Sequence, residues 1–184
     1  MPTTRQLLWP IAVEQDGYVT AADADELGLP ATALRLLAHR GKLLREAQGV
    51  YRFEELPRER TTDYRFATLW TGRGDAALSH DTALGLYDLC DINPAKYHVT
   101  VPKGDRVRRT GGGNIAVHYE DLTAKEIGWW EGIPCVTVST AIRQSIDTGV
   151  PTYLLNQAIE TARTRGAITE AERAQLTERM ANRG

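Results

Sequence analysis

Side chains suited to binding a polyanion are concentrated in one short stretch, residues 31–53. This stretch contains five Lys or Arg and one Glu, a local excess of plus four in a chain whose formal net charge is −2. Clustered cationic side chains bind the phosphates of nucleic acids, and arginine also recognises guanine edges. A local basic patch on a slightly acidic chain favours sequence-specific binding over a general nucleic-acid coat, which would be basic throughout.

Two predicted helices and a hairpin position these side chains. Thr20 is a suitable N-cap for a helix over residues 21–27, and Pro30 suits the first turn of a second helix. Gly41 fits the position just after that helix, and residues 43–53 follow as strand, turn and strand. The pattern predicts a helix-turn-helix followed by a two-stranded wing.

The second of these helices has one face for packing and one for recognition. Its packing face carries Ala33, Leu34, Leu37 and Ala38. The residues expected to face base edges and phosphates in a DNA major groove are Thr32, Arg35, His39 and Arg40. Those expected to hold the flanking DNA backbone are Lys42, Arg45 and Arg52. The residues leave one alternative open, a small helical domain whose polar face meets only solvent or other proteins.

The chain is long enough for two small domains, and its fold class is predicted as α+β. A helix over residues 3–15 is expected to complete the core of a winged helix-turn-helix domain over residues 1–56. Residues 57–184 are expected to form a mixed domain in which a small β-sheet packs with helices. Its clearest strands are residues 97–101 and 115–119, which are rich in β-branched and aromatic side chains.

The segment between these two strands is basic and ends in three glycines. Its cations are Lys103, Arg106, Arg108 and Arg109. The glycines do not match a phosphate-binding loop, because no helix beginning with Lys-Ser or Lys-Thr follows them. We expect a flexible hairpin tip that contacts the DNA backbone, an acidic face of a partner protein, or only solvent.

The last third of the chain contains further short elements. Residues 127–133 are predicted as a turn or short hinge carrying two tryptophans, followed by a strand over residues 134–138. Helices are expected over residues 140–148 and 152–165. Thr169 and Glu172 form the pattern of a capping box that opens a final helix.

The histidines raise the question of catalysis. His80 lies beside a serine and an aspartate, but neighbouring residues point in different directions and cannot form a catalytic relay. His98 and His118 lie on the two clear strands, with two acidic residues after the second. This is a poor metal site, although it leaves a metal-dependent nucleic-acid hydrolase as an alternative function. We therefore expect no catalytic residue, metal or cofactor.

Other features narrow the class of protein. Cys90 and Cys135 lack CxxC spacing and a neighbouring ligand cluster, so two reduced, buried thiols are expected. The first fifteen residues contain neither a long apolar run nor a cleavage pattern, so neither a signal peptide nor a membrane contact is expected. The expected location is the cytoplasm.

Short motifs occur in both halves of the chain. In the first half they are G-x-V-T from Gly17, L-x-x-x-G-K-L-x-R from Leu37 and G-V-Y from Gly49. In the second half they are A-L-S-H-D-T-A-L from Ala77, H-V-T-V-P from His98 and I-P-C-V-T-V-S-T-A-I-R-Q-S-I-D from Ile133. Together these motifs resemble those of AbiEi-family antitoxins, and the resemblance covers most of the chain, roughly Gly17 to Gly166.

The resemblance implies a repressor of its own operon that also counteracts a toxin. The winged helix would bind double-stranded operator DNA at inverted repeats, with two copies of the protein on the DNA. The second domain would counteract a nucleotidyltransferase-type toxin, directly or indirectly. This sequence departs from the family at the wing tip, residues 46–48, which has no basic residue. DNA contact would then depend on Arg35, Arg40, Lys42 and Arg45.

Overall fold

The computed structural model describes residues 1–183, and its fold is α+β, as the sequence predicts. This part of the chain contains eight α-helices and two β-sheets. It forms two compact units, each built from two separate segments of the chain. The first unit comprises Met1–Gly74 and Val107–Gly113, and the second comprises Asp75–Arg106 and the chain from Asn114.

The first unit is a winged helix. Its elements are α1 (Thr4–Glu14), β1 (Tyr18–Thr20), α2 (Ala21–Glu26), α3 (Ala33–His39), β2 (Leu44–Ala47), β3 (Val50–Arg52) and α4 (Thr62–Trp70). Thr20 caps α2 in a capping box with Asp23, which confirms the predicted helix start. The side chains of Leu8, Val19, Leu34 and Phe53 are buried together in its core.

The wing is part of a three-stranded antiparallel sheet with the order β1-β3-β2. The sequence predicts β2 and β3 from the turn between them but not β1, because β1 is a three-residue segment with no hairpin turn beside it. Strand β3 lies in the centre, and all three of its residues are buried. The pairing of β2 with β3 is irregular between Arg45 and Ala47, which leaves Glu46 as a bulge.

The first unit continues beyond residue 56 because α4 is attached to it. Thr61 and Arg65 both bind the Asp16 carboxylate, at 2.8 Å and 3.2 Å. The rings of Tyr18 and Phe66 pack with centroids 5.8 Å apart. A functional boundary after residue 56 remains a prediction, while the compact unit extends through α4.

The second unit is a five-stranded sheet with four helices. Its elements are β4 (Ala77–Leu78), α5 (His80–Leu86), β5 (Tyr97–Val101), β6 (Ile115–Tyr119), a 3-10 turn (Ala124–Glu126), β7 (Ile127–Trp130), β8 (Ile133–Val136), α6 (Val138–Asp147), α7 (Thr152–Thr164) and α8 (Glu170–Ala181). The strand order is β6-β5-β4-β8-β7. Buried apolar residues of α6 and α7, including Ile142, Ile146 and Leu155, belong to its core.

Three predictions for this unit are wrong. Strands β5 and β6 pair in parallel, so the segment between them is a crossover and not a hairpin tip. Residues 127–133 form the β7–β8 hairpin, with Glu131 and Gly132 at positive φ in its turn, rather than a hinge. Helix α6 begins at Val138 after the N-cap Thr137, two residues earlier than predicted.

Two predictions about the rest of the unit are confirmed. Cys90 and Cys135 are buried free thiols, and burial raises the pKa of Cys135 to about 11. Thr169 and Glu172 form the predicted capping box of α8. None of the helices in residues 1–183 combines the length and apolar composition needed to cross a bilayer.

Candidate nucleic-acid interface

Helix α3 presents a polar face to solvent. Ala33 and Leu34 are buried against the core of the first unit. The exposed side chains are those of Thr32, Arg35, Leu36, His39 and Arg40. Thr32 is the N-cap residue but makes no side-chain capping bond, so its hydroxyl is not committed to the helix.

The end of α3 fixes where the next cation lies. Gly41 has φ +66°, and its N–H donates to Ala38 O at 3.0 Å. The N–H of Lys42 donates to Leu37 O at 2.9 Å, which completes a Schellman motif. The motif turns the chain so that Lys42 is exposed directly after the helix while Leu43 is buried in the core.

The hairpin adds one exposed cation, Arg45, on β2. Glu46, which follows it, is the carboxylate nearest in sequence. Its oxygens bind the Tyr18 hydroxyl at 2.9 Å and pair with Arg58. Since Glu46 is engaged in this way, it does not neutralise Arg45.

The exposed basic residues of this surface are uncompensated. Within residues 1–183, no hydrogen bond or ion pair is made by the side chains of Arg35, His39, Arg40, Lys42 and Arg45. Four of these side chains carry a permanent charge at neutral pH. Such a cluster attracts a polyanion, because binding releases the counterions condensed on the nucleic acid.

Arg52 does not lie where the sequence analysis expected. Its side chain is only 4% exposed, and one terminal nitrogen donates to Leu56 O at 2.7 Å and to Pro57 O at 2.9 Å. The guanidinium also lies over the Tyr18 ring, 5.9 Å from its centroid. Because β3 is the central strand, Arg52 stabilises the fold. We do not expect it to contact DNA.

The predicted basic loop is divided between the two units. Lys103 and Arg106 belong to the second unit, where Arg106 lies 5.9 Å from the Tyr119 ring centroid. Arg108 and Arg109 belong to the first unit, and Arg109 donates a hydrogen bond to Gln48 O in the turn of the wing. Each unit therefore holds two of the four cations, and their role stays a prediction.

Comparison with protein families gives a match on the winged helix. Residues 10–53 match the family described as "Transcriptional regulator, AbiEi antitoxin". This match confirms the resemblance over the segment that runs from within α1 to the end of the wing. It indicates an antitoxin or transcriptional regulator, a class that is not generally enzymatic.

The chain was also compared with curated proteins and with solved structures. A search of curated proteins found no match. Among solved structures, the chain is similar to the crystal structure of RV2827C protein from Mycobacterium tuberculosis. The TM-score is 0.45 and the sequence identity 15%, over 97% of this chain and 82% of that one.

Three histidines meet in the second unit. His98 and His118 lie on the paired strands β5 and β6, two positions apart in register, and His98 Nδ1 lies 2.9 Å from His118 Nε2. His80 stacks on His118 with ring centroids 3.6 Å apart, a contact that the sequence analysis missed. Burial and the neighbouring imidazoles lower the pKa of His80 to about 2 and that of His118 to about 4. The imidazoles are therefore neutral near pH 7.

The surroundings of these histidines do not favour the alternative of a metal-dependent hydrolase. Among residues 1–183, no group of three or more His, Cys, Asp or Glu side chains is arranged to hold a metal ion. A polar cavity of about 390 Å³ adjoins His80 and His118. Both of the arginines that line it are paired with carboxylates, Arg143 with Glu120 and Arg179 with Asp147, each at 2.6 Å. No observation at this cavity points to a substrate.

Proposed function

We propose that this protein is a DNA-binding transcriptional regulator and the antitoxin of a bacterial toxin–antitoxin pair. The observation that carries the proposal is the exposed, uncompensated basic surface of α3 and β2, within the segment that matches the antitoxin family. Helix α3 lies in the major groove of operator DNA. Base edges and phosphates are contacted by Thr32, Arg35, His39 and Arg40, and the flanking backbone by Lys42 and Arg45.

The protein binds inverted repeats upstream of its own gene and represses its operon. A two-fold operator is occupied by two copies of the protein, one for each half-site. The domain over residues 57–184 counteracts a nucleotidyltransferase-type toxin, directly or indirectly. This part of the proposal is supported by the second-half motifs that resemble the family. The protein acts in the cytoplasm without a cofactor and is not an enzyme.

A pair of cellular assays tests the two activities separately. In the first, a reporter is placed behind the DNA upstream of the gene, and repression by the intact chain is measured. In the second, the neighbouring reading frame is expressed as the toxin, and growth is measured with and without the intact chain. The protein should repress the reporter and restore growth.

A variant separates DNA binding from neutralisation. The double substitution Arg35→Ala, Arg40→Ala removes two exposed cations without disturbing the buried face of α3. It should abolish repression and leave growth rescue intact. The matched control is Arg163→Ala with Arg173→Ala, which removes two cations from α7 and α8 of the second unit. Undiminished repression by the first variant would contradict the assignment of α3 as the reading helix.

A further inference from the structure

The turn of the wing has no basic residue of its own, yet a cation lies against it. One terminal nitrogen of Arg109 donates to Gln48 O, the carbonyl at the tip of the hairpin. The same guanidinium lies 3.5 Å from where a side chain at Gly49 would begin. The charge that the turn lacks is therefore supplied from a position about 60 residues further along the chain.

The loop that carries Arg109, residues 107–113, is built into the first unit. The indole N–H of Trp70 donates to Thr110 O at 3.1 Å. Gly112 packs so closely on the Trp70 ring that a Cβ there would overlap the indole. A Cβ at Gly72 would likewise overlap the Arg109 guanidinium. The Trp70 contact explains the glycine at position 112, and the φ of +68° favours glycine at position 72.

The local electrostatics fit a site for an anion. Burial and the nearby Arg73 lower the pKa of Arg109, and no carboxylate contributes to that shift. Arginine has five N–H donors, so donation to Gln48 leaves others available. The side chain of Arg108 is exposed and makes no hydrogen bond or ion pair within residues 1–183.

We propose that residues 107–113 complete the wing, and that Arg108 and Arg109 contact phosphates of the DNA backbone beside it. Arg109 has two roles, since it also holds the turn at Gln48 in place. The wing is thus composite: β2 and β3 supply its backbone and Arg45, and a distant loop supplies the cations at its turn. The DNA contact rests on the proposed function, whereas the Arg109–Gln48 contact does not.

The salt dependence of DNA binding tests the phosphate contacts. The affinity of the full chain for its upstream duplex is measured between 50 and 200 mM salt for wild type, Arg108→Gln and Arg109→Gln. Each substitution should reduce the slope of log affinity against log salt by about 0.9, the value for one phosphate. Arg163→Gln, on α7, changes the net charge equally and should leave the slope unchanged. Slopes equal to that of wild type in both loop variants would overturn the proposal.

A measurement without DNA tests the contact at the turn. The N–H of Ala21 donates to Gly49 O at 3.0 Å, so its exchange with solvent reports on the order of the turn. Loss of the Arg109 hydrogen bond should speed this exchange by roughly fivefold or more in Arg109→Gln. Arg108→Gln should leave it unchanged. Unchanged exchange in Arg109→Gln would also overturn the composite wing.

The two measurements separate the failure of this inference from failure of the proposed function. Wild-type protein that binds no DNA would reject the proposed function and, with it, the phosphate contacts. The exchange at Ala21 would still decide whether Arg109 orders the turn. Wild-type protein that binds DNA, together with loop variants of unchanged slope, would reject the composite wing alone.

Discussion

Lys42→Gln is the sharpest test of a single contact on the basic surface. Lys42 is exposed immediately after α3, where the Schellman motif fixes its backbone, and its ammonium is expected to contact one phosphate. The substitution removes one charge and keeps a polar side chain of similar reach. The fold should be unaffected, because the side chain is exposed and makes no hydrogen bond or ion pair within residues 1–183.

The expected magnitude follows from the number of exposed cations on α3 and β2. Arg35, Arg40, Lys42 and Arg45 contribute a slope of about −3.6 in log affinity against log salt if each contacts one phosphate. This contribution weakens binding roughly 150-fold between 50 and 200 mM salt. Without Lys42 it becomes about −2.7, or roughly a 40-fold loss over the same range.

The assay is a titration of a labelled half-site duplex at four salt concentrations, followed by fluorescence anisotropy. Lys125→Gln, an exposed lysine in the 3-10 turn of the second unit, is the matched control. Lys42→Gln should weaken binding to specific and scrambled duplexes by the same factor, since a phosphate contact carries no sequence information. A slope equal to that of the control would refute the placement of Lys42 at the DNA backbone.

Three further outcomes are expected. Arg52→Met should lower the free energy of unfolding by about 1–3 kcal/mol in a urea titration, because the Leu56 and Pro57 carbonyls lose their donor; an unchanged midpoint would contradict this. Leu36, 49% exposed among the cations of α3, should contact a thymine methyl group. Replacing that thymine by deoxyuridine should weaken wild-type binding but not that of Leu36→Ala, and equal losses in both would contradict the contact. Burial lowers the pKa of His118 to about 4 from 6.5, so stability should be complete above about pH 6.5 and fall towards pH 4 as the unfolded chain binds protons. The drop in the urea midpoint between pH 7 and pH 5 should be smaller in His118→Gln, and an equal drop would contradict the burial of a neutral ring.

The parts of the fold that sequence predicts well are those set by local chemistry. Thr20 and Thr169 cap the helices that follow them because a hydroxyl accepts a backbone N–H within three residues. Gly41 ends α3 because its positive φ favours glycine. The exposure of Arg35 and Arg40 follows from the 3.6-residue period of the same helix.

The parts that sequence does not predict depend on contacts between distant residues. Residue pattern does not reveal whether two strands run parallel, so the β5–β6 pairing was predicted incorrectly. The burial of Arg52 follows from β1 joining the wing, and β1 is too short to show a pattern. The assignment of residues 107–113 to the first unit rests on contacts with Trp70 and Gln48, which are 40 and 61 residues away in the chain.

We propose that α3 reads a particular DNA sequence. The most direct test is the ratio of affinities for the protein's own upstream duplex and for a scrambled duplex of equal composition, measured at physiological salt. We expect a ratio of about a thousand or more for the intact protein, and a ratio near one for the folded double variant Arg35→Ala, Arg40→Ala. Equal affinity of the intact protein for the two duplexes would contradict sequence reading by α3. An affinity ratio that is unchanged in the double variant would contradict it as well.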